Sequence, residues 1–413
     1  EISECLVGSE MCIRDRHYGQ ARGQELFGHP ICSGDTATKI LWLRRHEPEI
    51  YAKTAYFLTG SSFLTARLTG KYVIDQSLAK GSFRPLYQAD GSVNEAECGL
   101  YCRPDQIAAC AWSTDIVGTV TPEAAAQTGL AAGTPVITGT GDSTAEAISV
   151  GLVEPGTAFF QYGSSMFYYY CTDHFVGSYV SPQGNGTLKG GKAFTVPGTY
   201  CLGDGTNAAG TLTRWVRDLL YSKELDAEKQ GGENAYAVMA REAAAVPPGS
   251  DGLIMLPYIY GERSPLQDAE ATGMLFGLKG THGRAQINRA ALEAVGYSTY
   301  QHLLLFEELG VPPRRIITAG GGTKNAAWMQ IICDMAGMPL TIPEPFQCSS
   351  YGDAMLAALG IGALENFAAL CAALPQGRIL QPDRKNHEFY QEHYPIFRDL
   401  YLENRDRMHR MQK

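Results

Sequence analysis

One pattern recurs in this chain and limits what it can fold into: a short apolar strand, a glycine-rich turn, then a helix. It occurs in "TPVITGTGDSTAEAISVG" (134–151) and again in "RRIITAGGGTKNAAWMQIICDMAG" (314–337). Strands that run into helices through tight turns imply an α/β fold with a substantially parallel sheet. Between the two units, "PGTAFFQYGSSMFYYYCT" (155–172) reads as two strands joined at Gly163-Ser164-Ser165. The aromatic run Phe167–Tyr170 is expected to pack alternately on the two faces of its strand.

The N-terminal third has a different texture. Residues 36–118 read as mostly helical, with Ile40, Leu41, Leu43, Phe57, Leu58, Phe63, Leu64 and Leu68 at helical spacing. A Pro/Ala/Gly-rich stretch at 119–133 is expected to be a boundary. The domains are then 17–133 and 134–413, the second holding both glycine turns. Later, Ile287, Ala291, Ala294 and Val295 mark one apolar face of a long helix that Gly310 should stop. A polar helix is expected from about residue 386. Residues 1–16, "EISECLVGSEMCIRDR", show neither periodicity and are expected to be non-native sequence.

Charge and composition exclude several classes. A net charge of -9 argues against a nucleic-acid groove. No apolar run is long enough to span a bilayer, and no signal-peptide pattern is present. The 11 cysteines lack repeating C-x-x-C spacing, which points to reduced thiols and a cytoplasmic protein. Cys98, Cys102 and Cys110 have no fourth ligand at finger-like spacing, so they read as ordinary thiols. Gly139-x-Gly141 fails as a dinucleotide fingerprint: Thr144 holds the third glycine position, and Gln161 stands where an acid is needed. There is no G-x-x-x-x-G-K-[ST] loop, no G-x-S-x-G elbow and no H-E-x-x-H.

Phosphoryl transfer fits the remaining features. It needs small residues that let N–H groups approach phosphates, a divalent ion, and a carboxylate to take the proton of the attacking hydroxyl. Gly163 and Ser164 supply the first at a hairpin tip. Gly320, Gly321 and Gly322 let a nucleotide lie against backbone. Asp142 would repel a phosphate and therefore belongs beside the acceptor hydroxyl. The bland alternative is that Asp142 caps its helix. Arg263 reads as a structural ion-pair residue and Lys324 as a solvated charge.

In this order, "GTGDSTAEAISVG", "PGTAFFQYGSS", "GLIMLPYIYGERSPLQDAEATGMLFGLKGTHGRAQINRAALEAVGY", "AGGGTKNAAWMQIICDMAGMPL" and "YGDAMLAALGIG" resemble the FGGY family of carbohydrate kinases, in particular its xylulokinase-like members. The front segment "TATKILWLRRHEPEIYAKTAYFLTGSSFLTARLTGKYVIDQSLA" is similar to the family's first lobe. The resemblance implies two actin-like, ribonuclease-H-like lobes with ATP, Mg2+ and sugar in an interlobe cleft. It implies Asp142 as the general base and Gly163 and Ser164 as the second phosphate loop, where the family usually has Gly-Thr. Gly277 and Gly321 with Asn325 match nucleotide contacts, and Asp142 and Ser143 fall on the substrate side. Ser143 departs from the Asn or Gln common there. The family's first phosphate hairpin is not found in the sequence, so the first lobe is expected to be incomplete and the activity of this chain weak. The implied partner is a small sugar, most simply a ketopentose such as xylulose, and the resemblance allows a homodimer. A second reading keeps the fold without the chemistry: a non-catalytic actin-like nucleotide or sugar binder.

Overall fold

The chain divides where its strands change partners. The computed structural model describes residues 17–19, 22–23, 26–27, 35–344, 348–375 and 377–412; residues 1–16, read above as non-native, lie outside these. The principal elements of the first lobe are helix α1 (Thr36–His46), α2 (Gly60–Thr69), strand β1 (Val73–Asp75), α3 (Gln76–Ala79), α4 (Glu95–Tyr101), β2 (Ala109–Ala111), β3 (Ile116–Thr119), α5 (Pro122–Thr128) and β4 (Pro135–Ile137). β1 pairs with β2 in parallel, and β3 pairs with β4 antiparallel. Ile40, Leu41, Ile74, Leu86, Cys98, Tyr101 and Ile107 form this lobe's core.

Two expectations shift here. Phe63 and Leu64 are 55% and 63% exposed, because α2 turns Ser62, Thr65 and Thr69 inward instead. The helix packs against α5, β3 and β4, and Thr65 donates to the Thr138 carbonyl at 3.4 Å. The boundary expected at residues 133–134 falls inside the β3–β4 pair, so the chain on both sides of it is held in the first lobe's strands.

The second lobe begins with α6 (Asp142–Ser149), β5 (Thr157–Tyr162), β6 (Met166–Thr172), β7 (Lys192–Ala193) and β8 (Tyr200–Gly205). It continues with α7 (Gly210–Leu220), α8 (Ala235–Ala244), α9 (Arg284–Glu308), β9 (Arg315–Ala319), α10 (Ala326–Ala336), β10 (Leu340–Ile342), α11 (Ser349–Gly360), β11 (Arg378–Leu380) and α12 (Arg384–Met411). Seven strands form one sheet in the order β11-β10-β9-β5-β6-β8-β7. Only β5–β9 and β9–β10 run parallel; the other four pairs are antiparallel. The sheet is therefore mixed, not substantially parallel. The short turn at 163–165 can only reverse the chain, and a hairpin forces antiparallel pairing.

The aromatic run behaves as expected. Phe160, Tyr168 and Tyr170 enter one core, and Phe159 and Tyr169 the other. Both faces of the sheet are covered, which is why its central strands are nearly all apolar. On one face lies α9, buried without a break from Asn288 to Leu303 and again at Leu305 and Phe306. The single apolar face expected for it is too narrow. Tyr297 and Tyr300 on its outer side pack against Tyr390, Tyr394 and Phe397 of α12, so this helix is enclosed and not amphipathic. On the other face α6 crosses α11, with a Cβ on Gly352 falling 1.8 Å from the Ala145 carbonyl oxygen. No helix among the described residues is long and apolar enough to cross a membrane.

Candidate active site

The first glycine turn leaves β4 and enters α6. Gly139 has φ +73°, a left-handed conformation that glycine adopts without strain. Its N–H donates to the Ser113 carbonyl at 3.0 Å, and the Thr140 hydroxyl donates to Asp75 Oδ1 at 3.1 Å. First-lobe groups therefore hold this turn. Gly141 is the N-cap of α6 and Asp142 the first helical residue, which corrects the capping alternative by one position. Asp142 is exposed, and its Oδ1 accepts from the Ser143 N–H at 2.7 Å and from the Ser143 hydroxyl at 3.2 Å.

Two further carboxyl groups share this space. Glu146 lies one turn along α6, and Asp353 comes from α11. Burial pushes the Glu146 carboxyl up, the Gln161 amide pulls it back, and the Asp142 charge adds to the rise. Burial and the Asp142 charge likewise raise Asp353. Beneath the turn, Asp75 is almost wholly buried, and desolvation raises it to about 6. Its Oδ2 has no protein partner among the described residues.

The hairpin at 163–165 is braced from behind. The N–H groups of Ala209 and Thr211 donate to the Ser164 carbonyl, and that of Gly210 to the Gly163 carbonyl, at 2.9–3.1 Å. A Cβ on Gly210 would sit 2.5 Å from the Gly163 oxygen, so only glycine admits this approach. Ser164 is left exposed at the tip.

The second glycine turn leaves β9 in the centre of the sheet. Gly320 has φ +96°, and a Cβ there would meet the Tyr162 carbonyl oxygen at 2.7 Å. Gly321 faces open space. Asn325 caps α10, its Oδ1 accepting from the Trp328 N–H at 3.1 Å. Gly163, Ser164, Gly321, Gly322 and Asn325 come together around a cavity of about 450 Å³, completed by Tyr236 and Met239 of α8 and by Asn288 and Leu292 of α9. Two buried polar atoms of its lining residues, Asn288 Oδ1 and Trp328 Nε1, have no protein partner among the described residues.

Most of the expected nucleotide-site residues thus converge, and two of them do not line this cavity. Gly320 lies behind its wall on the β5 backbone. Gly277, at φ +83°, packs onto the Gly252 carbonyl outside it. Asp142 and Ser143 stand apart from the cavity, on the side of the hairpin that α6 occupies. Arg263 is an ion-pair residue, with its Nε 3.0 Å from Asp204 Oδ1. Lys324 is exposed, at the cavity's rim. Glu146, Gln161, Asp353, Asp75 and Asn288 escaped sequence reasoning. Only Glu146 carried a local signal, its spacing of four from Asp142 on a helix.

Known proteins show the same architecture. The chain is 28% identical over 377 residues to a gluconokinase of Bacillus licheniformis, covering 90% of this chain and 72% of that one. It is also 28% identical over 382 residues to a xylulose kinase of Bacillus subtilis, covering 91% and 72%. The crystal structure of xylulose kinase from Rhodospirillum rubrum superposes with a TM-score of 0.85 at 28% identity, over 98% of this chain and 79% of that one. The two-lobe, actin-like α/β fold is therefore that of these kinases. The N-terminal domain model of the FGGY family of carbohydrate kinases matches residues 9–149, and the C-terminal domain model matches 161–361. With both domain models matched in order along the chain, the chain belongs to the FGGY family of carbohydrate kinases and is a sugar phosphotransferase.

Proposed function

We propose that the chain transfers the γ-phosphoryl group of ATP to a hydroxyl of a ketopentose such as xylulose, with Asp142 as general base. The observation that carries this reading is the separation of charge across the hairpin. An exposed carboxylate lies on the α6 side, and on the other lies a glycine-walled cavity whose charged lining residues are both cations, Arg214 and Lys324. Phosphates at the hairpin would meet the hydroxyl and N–H of Ser164 beside the small Gly163, whose own N–H is held by the Ser165 carbonyl, while the acceptor hydroxyl would meet Asp142. A nucleotide suits the cavity: its size is in the range of small-ligand sites, and its two unpartnered atoms offer a base one acceptor, at Asn288, and one donor, at Trp328.

A magnesium ion suits the α6 side. Asp142 and Asp353 lie close enough for one charge to raise the other carboxyl, a strain that a cation relieves. No group of three ligating side chains occurs among the described residues, so these carboxylates would share the ion with phosphate oxygens. When bound, the ion neutralises charge on the transferring phosphate. The free thiols of the described cysteines and the acidic net charge fit work in the cytoplasm.

Gluconate is the second acceptor to weigh, because the gluconokinase relative matches at the same identity as the xylulose kinase. ADP release measured against xylulose, other pentuloses, hexuloses, polyols and gluconate decides between them. The proposal expects the highest kcat/KM for a ketopentose. A preference for gluconate would overturn the acceptor assignment, and no sugar-dependent release with any acceptor would favour a non-catalytic binder.

A further inference from the structure

Two side chains with no part in this chemistry join its two halves. Glu146 stands one helical turn from Asp142, on the same face of α6. Gln161 is the penultimate residue of β5, two before Gly163. Gln161 Nε2 donates to Glu146 Oε1 at 3.0 Å. The other end of the same amide, Oε1, lies 3.5 Å from the point where a Cβ on Gly163 would stand. The amide is thus wedged between the helix that carries Asp142 and the start of the hairpin. Both side chains are half-buried, so water competes only in part for the bond.

We propose that Glu146 is a positioning residue: its bond to Gln161 sets the Gly163–Ser165 turn at the height above Asp142 that transfer from ATP requires. This rests on the roles given above to Asp142 and the hairpin. Neither Glu146 nor Gln161 lines the cavity. Glu146 acts on the Gln161 amide, and the amide acts on the turn. The bond joins a carboxylate to an amide N–H, a charge-assisted contact stronger than its neutral counterpart.

The test is a swap in the full chain, read by ATP affinity in calorimetry, turnover and melting temperature. Glu146→Ala should raise the ATP Kd on the order of tenfold, the usual weight of one hydrogen bond to a charged group. The acceptor KM should stay put. Glu146→Gln keeps an oxygen to accept the amide and should lie close to wild type. Gln161→Glu sets two carboxylates face to face and should weaken ATP at least as much as Glu146→Ala. The double variant Glu146→Gln/Gln161→Glu restores a bond of reversed polarity and should recover most of the affinity. An unchanged ATP Kd in Glu146→Ala overturns the proposal, whether or not the melting temperature falls. So does a double variant no better than the worse single one. Asp142→Asn in the same assays separates the two layers. Wild-type turnover there removes the underlying site, whereas lost turnover with a normal Glu146→Ala removes only the bridge.

Discussion

The two glycine turns read alike in sequence and differ in almost every contact. Gly139–Gly141 follows a strand that pairs within the first lobe, and groups of that lobe, Ser113 and Asp75, hold it. Gly320–Gly322 follows a strand in the middle of the second lobe's sheet and rests on the β5 backbone at Tyr162. The first turn delivers an acid at the start of its helix. The second inserts a short 3-10 turn at Gly321–Lys324 before Asn325 caps the helix. The same punctuation therefore makes a charged corner in one place and a bare wall in the other. What a glycine turn does depends on the surface to which its strand delivers it.

The largest expected effect breaks the first turn's chemistry. Asp142→Asn keeps the shape and cannot accept a proton. Turnover should fall by roughly 10²- to 10⁴-fold, the usual span for a positioned base, with little change in melting temperature. Near-normal turnover in a stable variant would make the first turn merely structural.

The next effect separates neighbours within the second turn. Gly320→Ala forces a side chain into a left-handed conformation and against the Tyr162 carbonyl. The backbone conformation alone should cost about 1–3 kcal/mol in a denaturant titration. Gly321→Val meets open space and no unusual φ, so stability should hold. Because Gly321 lines the cavity, ATP affinity should drop on the order of tenfold. Asn325→Ala should cost about 1 kcal/mol of stability through the lost cap, and less ATP affinity than Gly321→Val. Equal ATP binding in all three variants would leave the second turn as a structural corner.

The smallest effect belongs to the first turn's anchor. Burial holds Asp75 at about 6 in the fold, against its ordinary value of 3.8. Between those pH values the native protein binds more protons than the unfolded chain, so this carboxyl makes stability fall as pH rises from about 4 to about 6. Asp75→Asn should shrink the change in melting temperature across that window. Parallel curves for the two proteins would mean that Asp75 does not titrate as its burial requires.

Residues at the corners were legible because their types are locally demanded. A hairpin tip, a left-handed turn and a helix start each restrict which residues fit, and Gly163, Gly320 and Asp142 carry those marks. Gln161 shows the converse. By sequence it was only the absence of an acid at the end of a strand, and its role needs α6 brought beside β5. Asp353 and Asn288 are distant in sequence from the turns they adjoin, and a single carboxylate or amide inside a helix has no local signature. Phe63 and Leu64 misled for a related reason: apolar spacing identifies a helix but not which face the neighbouring elements will cover.

By itself the sequence determined the alternation of strands and helices, the hairpin at Gly163, the two turns and the acid at one of them. These follow from backbone sterics and from side-chain periodicity within a few residues. Only the tertiary structure decided that the sheet is mixed, that β4 pairs with the first lobe, and that α9 is enclosed on all sides. It also decided that Asp142 and the cavity stand on opposite sides of one hairpin. Those outcomes depend on which surfaces meet, and contacts between residues far apart in the chain leave no periodic trace in it.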